Sequence, residues 1–194
     1  MKEIYEKMWK LAKPYYEKGR PMDIAHVEWM MKYALFVCEK EKIDDEILLP
    51  LVILHDMGYA GLPKDNPFNL DMRKTHMKAG AEIAEKILKQ VSYPRDDSEK
   101  IIHYVSMHDN WALGDNEIYK KDKILGVFDD LEFIWLATPQ GFPALMKILG
   151  FTEPEQMIEY IEQDDKPEKR PFATKTTKEL FEKYLSDRKK ELKK

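Results

Sequence analysis

The stretch LVILHDMGYAG, residues 51–61, joins an apolar segment to two polar residues and a glycine turn. Four apolar side chains lead directly into His55 and Asp56. Burying an imidazole or a carboxylate costs free energy unless a partner compensates for the lost hydration. An apolar helix that ends in both groups therefore predicts that something inside the fold pairs with them.

Hydrophobic periodicity in the rest of the chain predicts an all-α fold. Apolar residues recur at spacings of three and four, and no segment shows sustained strand-like alternation. The predicted helices cover residues 2–18, 22–40, 45–58, 70–90, 97–110, 116–138, 142–149, 153–164 and 175–192. Asp44 or Asp45 is expected to cap the third helix. Pro50 lies inside that helix, which therefore either begins later or bends there.

The composition predicts one domain with a substantial core. The chain has 194 residues, of which 43% are hydrophobic, and this is enough for a compact helical bundle. We expect that single domain over residues 1–150. From about residue 150 the composition shifts to charge, which predicts a linker and a solvated helix. Residues 151–194 are thus expected to form a charged helical extension that packs on the domain or trails from it.

Charge and cysteine content narrow the environment and the partners. The formal net charge of −4 provides no global field for a nucleic acid polymer or an anionic membrane. The lone Cys38 excludes an internal disulfide and fits a reducing compartment. We find neither a signal peptide pattern nor an apolar run near the roughly 20 residues that cross a bilayer. A cytoplasmic protein is expected, and a homodimer is left open.

Three of the five histidines are predicted to face the interior. His26, His76 and His108 lie on apolar stripes of their helices, whereas His103 shares a more polar flank. Gly80, one turn beyond His76, would let a neighbouring helix approach closely. One inward histidine alone is more often a hydrogen-bonded core residue than a ligand. Several together change this balance.

The predicted helix 116–138 adds an acidic pair to these histidines. It is apolar around most of its circumference, yet it contains Asp129 and Asp130. Buried carboxylates need a cation or hydrogen-bond donors. Together with the inward histidines and the His55-Asp56 pair, this acidic pair favours a metal site.

The order of these residues resembles the HD superfamily of metal-dependent phosphohydrolases. The segments that carry the resemblance are HVEWMMKYALFV, LPLVILHDMGYAG, THMKAGAEIAEKIL, IIHYVSMHD and ILGVFDDLEFI, within roughly residues 20–138. The resemblance implies a first metal ion bound by His26, His55, Asp56 and Asp129. Asp129 is preferred because FDDL is similar to the family's Ala-Asp-x-Leu, with Phe128 in the alanine position. Periodicity alone leaves Asp130 open.

The resemblance also implies a second metal ion. It would be bound by His76 and His108, with Asp56 bridging the two ions. His103 departs from the simplest family pattern, and we expect it beside the ligands or at the surface. Imidazoles and carboxylates without a thiolate suit Fe, Mn, Co, Ni or Zn in a mono- or dinuclear site. The histidines argue against Mg at both positions, although Mg stays among the candidates.

The implied activity is hydrolysis of a phosphoester through a metal-activated water. The expected substrate is a nucleotide or another small phosphorylated metabolite. The predicted phosphate-binding cations are Lys64, Arg73, Lys74 and Lys78, and the predicted catalytic residues are Asp56, Arg73 and Asp109. Arg73 is favoured because it lies one turn before His76, and Asp109 would orient a ligand or a water. Each of the cations also fits a solvated helix surface.

Two other functions are compatible with the same residues. Some relatives of this fold use a di-iron pair to activate oxygen and cleave a C–C or C–P bond. A non-catalytic sensor would bind a nucleotide and use the charged C-terminal helix as a partner surface. An intact ligand set argues against the sensor, since a pure binding module has no need of an open metal site.

Overall fold

The computed structural model describes residues 1–63 and 69–192, and within these ranges the fold is helical without any β-strand. The α-helices are α1 (Glu3–Lys18), α2 (Asp23–Glu41), α3 (Asp45–Leu54), α4 (Leu70–Gln90), α5 (Arg95–Val105), α6 (Glu117–Lys121), α7 (Lys123–Trp135), α8 (Gly141–Leu149), α9 (Pro154–Glu162), α10 (Lys166–Lys169) and α11 (Lys175–Glu191). Short 3₁₀ helices at Met57–Gly61 and Asn110–Leu113 follow α3 and α5. The all-α prediction is confirmed. None of the described helices is long and apolar enough to span a bilayer.

Contacts divide the chain into two compact units. The first unit contains Met1–Leu35 and Asp44–Asp115, and the second contains Phe36–Ile43 and the described residues from Asn116 onward. The first unit thus holds His55 and its neighbours, and the second holds α7 together with the C-terminal helices. The domain boundary expected near residue 150 falls inside the second unit and stays a prediction.

Helix α3 supplies the core of the first unit. Residues 47–54 of this helix are all buried, and Asp44 caps its start by accepting a hydrogen bond from the backbone N–H of Glu46. Pro50 lies inside the helix and cannot donate to the carbonyl of Glu46, four residues earlier. The hydroxyl of Tyr93 donates to that carbonyl instead, with an O···O distance of 2.7 Å. The helix therefore begins at Asp45 and continues through the proline.

Helix α3 ends where side chains, in place of backbone N–H groups, form hydrogen bonds with its last carbonyl groups. The buried hydroxyl of Tyr16 donates to the carbonyl of Ile53 at 2.9 Å, and Nδ1 of His55 lies 2.9 Å from the carbonyl of Val52. Asp56 then has φ −98° and ψ 7°, which leaves the helical region. The predicted helix 45–58 therefore ends at Leu54, and a 3₁₀ turn carries the chain onward.

This 3₁₀ turn lies directly against α4 because two glycines face each other. A Cβ atom on Gly58 would lie 1.9 Å from the carbonyl oxygen of His76 and 2.6 Å from the backbone nitrogen of Gly80. A Cβ atom on Gly80 would lie 3.2 Å from the carbonyl oxygen of His55. The prediction that Gly80 permits a close approach is confirmed. The same approach places the turn after Asp56 beside His76.

Adding one methyl group at Gly58 tests this close approach. Gly58→Ala is expected to lower the free energy of unfolding by about 3 kcal/mol, because backbone rather than a flexible side chain must move. Gly61→Ala in the same 3₁₀ helix is the matched control, since a Cβ there meets nothing within 4 Å. Chemical denaturation of both variants measures the difference. Equal stability of the two variants would contradict the close approach.

In the second unit, a cap interrupts the long helix predicted over residues 116–138. The side chain of Asp122 accepts hydrogen bonds from the backbone N–H groups of Ile124 and Leu125, at 2.8 and 3.1 Å. This cap ends α6 and starts α7. Helix α7 is buried over most of its length, and the rings of Phe133 and Phe181 pack it against α11 with centroids 4.8 Å apart.

Candidate metal centre

Three buried side chains of the first unit meet at one point. Asp56 follows α3, His76 lies in α4, and His108 lies just beyond the end of α5. The Nε2 atoms of the two histidines are 3.1 Å apart, and each lies 3.2 or 3.3 Å from Oδ1 of Asp56. We call these three residues the triad. Each of them offers one ligand atom of a kind that binds metal ions.

The other ring nitrogen of each triad histidine faces a backbone carbonyl of its own segment. Nδ1 of His108 lies 2.8 Å from the carbonyl of Val105, and Nδ1 of His76 lies 3.3 Å from the carbonyl of Met72. A carbonyl oxygen only accepts hydrogen bonds, so Nδ1 carries the proton in both rings. In the neutral imidazoles, Nε2 then presents a lone pair to the triad. A backbone partner of this kind also fixes the ring orientation of a metal ligand.

The triad fits a cation. With both rings neutral in this tautomer, two imidazole lone pairs and a carboxylate oxygen face each other at hydrogen-bonding distance, so either a proton on one ring or a metal ion must lie between them. Ligand atoms at about 2.1 Å from a common ion lie roughly 3.0 to 3.4 Å apart, for angles between about 90° and 109°. The distances of 3.1 to 3.3 Å within the triad are of this size. The donor set of two imidazoles and one carboxylate suits a divalent transition metal.

The electrostatics of the triad also favour a cation. Burial raises the pKa of Asp56, but the charge of His55 and hydrogen bonds with histidines outweigh it and hold that pKa well below its usual range. Burial lowers the pKa of His76. Burial also acts to lower the pKa of His108, yet the hydrogen bond with Asp56 outweighs it and raises the pKa. The carboxylate is therefore negative and attracts positive charge to the Nε2 atoms.

His55 and His26 lie next to the triad in the first unit. Nε2 of His55 is 3.5 Å from Oδ2 of Asp56. The triad histidines contact the other carboxylate oxygen, Oδ1. The ring of His26 packs edge to face on His55 with centroids 5.7 Å apart. Burial lowers the pKa of His26 to about 3, so this ring is neutral. The prediction that His26, His76 and His108 face inward is confirmed by their burial.

An arginine and an aspartate border the triad. Nη1 of Arg73 lies 2.8 Å from Oδ2 of Asp109, and this oxygen lies 3.8 Å from Nε2 of His76. The guanidinium also lies over the ring of Trp111, at 4.9 Å from its centroid. Arg73 and Asp109 therefore both lie beside the centre, and their roles in phosphate binding and catalysis stay predictions.

A second arginine, which the sequence pattern does not predict, lies near the triad. The guanidinium of Arg20 lies 4.5 Å from the ring centroid of Tyr59, and this ring stacks on the ring of His76 at 4.1 Å. Nε of Arg20 lies 2.9 Å from Oδ2 of Asp23. The only sequence signal for Arg20 is its spacing of three residues from Asp23. Such charge pairs are common at helix surfaces, so this spacing does not indicate a functional site.

The acidic pair of α7 is bound by cations within the second unit. Nε of Arg170 lies 3.1 Å from both carboxylate oxygens of Asp129, and Nζ of Lys166 lies 3.7 Å from Oδ2 of the same residue. Lys166 also pairs directly with Asp130. Burial raises the pKa of Asp129 to about 6, against the charges of the two basic residues. The role of Asp129 as a metal ligand stays a prediction.

The remaining residues that the sequence predicts for the site either lie at the surface or are not among the residues that the structure describes. His103, Lys74 and Lys78 are exposed, so of the two positions expected for His103 the structure shows the one at the surface. Lys64 lies outside the described residues. The roles of these lysines in phosphate binding stay predictions.

Comparisons with known proteins bear on the same region. A sequence model described as the HD domain matches residues 23–134, which is more than half of the chain and includes the triad. No curated protein matches the chain, and no solved structure does.

Proposed function

Because the chain belongs to the HD domain family, we propose that it is a metal-dependent phosphohydrolase that cleaves a phosphoester of a nucleotide or another small phosphorylated metabolite. HD domains bind divalent metal ions, and the first unit offers a matching group of histidines and an aspartate. The observation that carries the proposal is the triad, in which three buried ligand atoms lie 3.1 to 3.3 Å apart.

Asp56, His76 and His108 would hold an ion, and His55 and His26 would extend the site. The resemblance adds Asp129 to this proposed set. When bound, a divalent ion supplies Lewis acidity and lowers the pKa of water, so that a hydroxide nucleophile is available near neutral pH. The identity of the ion, among Fe, Mn, Co, Ni, Zn and Mg, is part of the proposal to be tested.

The chain's own residues supply orientation and charge. The carbonyls of Met72 and Val105 hold the imidazoles of His76 and His108 in the tautomer that presents Nε2. Arg73 is proposed to bind the phosphate, since its planar guanidinium forms paired hydrogen bonds with phosphate oxygens. Asp109 contacts Arg73 and approaches His76, and from that position it would orient the water or accept its proton.

The test combines elemental analysis with an activity panel. Gently purified protein is analysed for bound metal and then assayed on phosphomonoesters and phosphodiesters with Mn, Co, Ni, Fe, Zn or Mg. We expect phosphate release that a chelator abolishes and one of these ions restores. Asp56→Asn should lower kcat/KM by at least about 100-fold, since even partners of metal ligands contribute 10- to 100-fold. Asp71→Asn, at an exposed aspartate of α4, is the control and should be unchanged.

Two results would overturn the proposal. The first is oxygen uptake by the iron-loaded protein with no phosphate release from any ester, which would favour the di-iron oxygenase. The second is tight nucleotide binding without turnover across the metal series, which would favour the sensor.

A further inference from the structure

We infer that Arg20 binds the substrate phosphate together with Arg73, and that this pair of guanidiniums selects a terminal phosphoryl group over a phosphodiester. The inference rests on the proposed function and names the substrate class for the same centre. It starts from the stack of Arg20 on Tyr59, which places a cation beside the triad from a segment that precedes α2.

The stack leads from the protein surface to the triad. The side chain of Arg20 is 28% exposed, whereas that of His76 is fully buried. Between them lies the ring of Tyr59, with the guanidinium 4.5 Å from its centroid and the imidazole stacked at 4.1 Å and an interplanar angle of 11°. An arginine held over an aromatic ring loses little additional freedom when it binds an anion. The stack thus holds Arg20 in place before a phosphate binds. Arg20 forms the outer end of the stack, and His76 of the triad forms the inner end.

Arg20 is cationic, and its guanidinium has N–H groups beyond the one that contacts Asp23 with which it could donate to a phosphate. Its contact with Asp23 involves Nε, whereas a guanidinium has five N–H bonds in all. Burial acts to lower the pKa of Arg20, but the charges of Asp23 and then Asp56 outweigh it and raise that pKa.

Arg73 repeats this arrangement at the same histidine. It lies over an aromatic ring, that of Trp111, and pairs with an aspartate, Asp109, that approaches Nε2 of His76. Its side chain is 11% exposed. Each guanidinium is thus held by a residue that approaches His76, Arg20 by Tyr59 and Arg73 by Asp109.

The number of oxygen atoms decides between the two substrate classes. A terminal phosphoryl group has three non-bridging oxygens, whereas a phosphodiester has two. A phosphate that presents one oxygen to an ion held by the triad and one to each guanidinium would use three of them. Two arginines beside one centre therefore favour a phosphomonoester or the terminal phosphate of a longer chain.

Inorganic phosphate is the probe for a direct binding test. Full-length protein loaded with Mn²⁺ is titrated with phosphate by calorimetry, as wild type, Arg20→Met and Arg73→Met. Each variant should bind phosphate about tenfold more weakly, because a charge-assisted hydrogen bond is lost. Arg95→Met is the control and should bind as wild type, since that arginine is 88% exposed and pairs with Glu99. Bound manganese should be equal in all four proteins. Wild-type phosphate affinity in Arg20→Met would overturn the inference.

Kinetics test the choice of substrate class. The wild type should hydrolyse p-nitrophenyl phosphate with a higher kcat/KM than bis(p-nitrophenyl) phosphate. Arg20→Met should lower the first value about tenfold and leave the second nearly unchanged. A preference for the diester, or an equal loss on both substrates, would overturn the selection of a terminal phosphoryl group. If no ester is turned over, the proposed function fails, while the phosphate titration still decides whether Arg20 binds the anion.

Discussion

Replacing His108 with glutamine is expected to weaken the binding of a divalent ion by at least about 100-fold, while the same replacement at His103 leaves it unchanged. His108 provides one of the three ligand atoms of the triad, 3.1 Å from Nε2 of His76 and 3.3 Å from Oδ1 of Asp56. A neutral amide is a poorer ligand than an imidazole whose Nδ1 proton is held by a carbonyl. Since changes at partners of metal ligands already reduce affinity 10- to 100-fold, loss of a ligand should cost at least the upper value.

His103 is a close control because it lies on α5, only five residues before His108, and is exposed. Titration with Mn²⁺ or Co²⁺ gives the affinities, and circular dichroism gives the helical content. Both variants should retain wild-type helicity, because the turn after α5 is short and the rest of the helix is unchanged. Equal ion affinity in the two variants would exclude His108 as a ligand. A collapse of helicity in His108→Gln alone would instead make it a core residue.

The inward histidines could be predicted from the sequence because burial follows helical periodicity. His26, His76 and His108 each share a spacing of three or four residues with apolar neighbours, and all three are buried. The end of α5 could not be predicted in this way. His108 lies beyond Val105 and outside the helix, because Nδ1 of its own ring forms a hydrogen bond with the Val105 carbonyl. Side-chain caps of this kind end helices without interrupting the apolar pattern.

The stack of Arg20 on Tyr59 and His76 could not be predicted, for a different reason. These three residues lie on separate segments, and only the close approach of the 3₁₀ turn to α4 brings Tyr59 onto His76. That approach requires Gly58, whose neighbours in space are backbone atoms far away in the sequence. Local propensity contains no information about such a contact. The HD dipeptide predicts a site, but the residues that surround it depend on tertiary structure.

The sequence did predict that the acidic pair of α7 needs a cation, although it did not identify the cation. Composition predicts a linker and a solvated helix for the charged C-terminal segment. Within it, however, Lys166 and Arg170 are 1% and 5% exposed. Composition averages over neighbouring residues and cannot separate two buried basic residues from the exposed ones beside them. The burial of Asp129 and Asp130 was the better signal, since it required partners from elsewhere in the chain.

Replacing Lys166 with methionine is therefore expected to lower the free energy of unfolding by about 3–5 kcal/mol. Lys166 pairs with Asp130, which is itself completely buried, and its ammonium lies 4.1 Å from the ring centroid of Phe172. Methionine fills much of the same volume without the charge, so the carboxylate loses its cation while it remains buried. Lys169→Met in the same short helix is the control and should change stability by less than about 0.5 kcal/mol, because that lysine is 56% exposed.

A second substitution separates the loss of a charge partner from the loss of packing. Asp130 also accepts hydrogen bonds from the backbone N–H of Ala173 at 2.8 Å and from the hydroxyl of Thr177 at 2.6 Å. Asp130→Asn, made in the background of Lys166→Met, removes the uncompensated charge and keeps an oxygen for these donors. The double variant should thus recover more than half of the stability lost in Lys166→Met, as measured by chemical denaturation. Additive losses would show that Lys166 stabilises the second unit by packing alone, because removing the buried charge would then bring no relief.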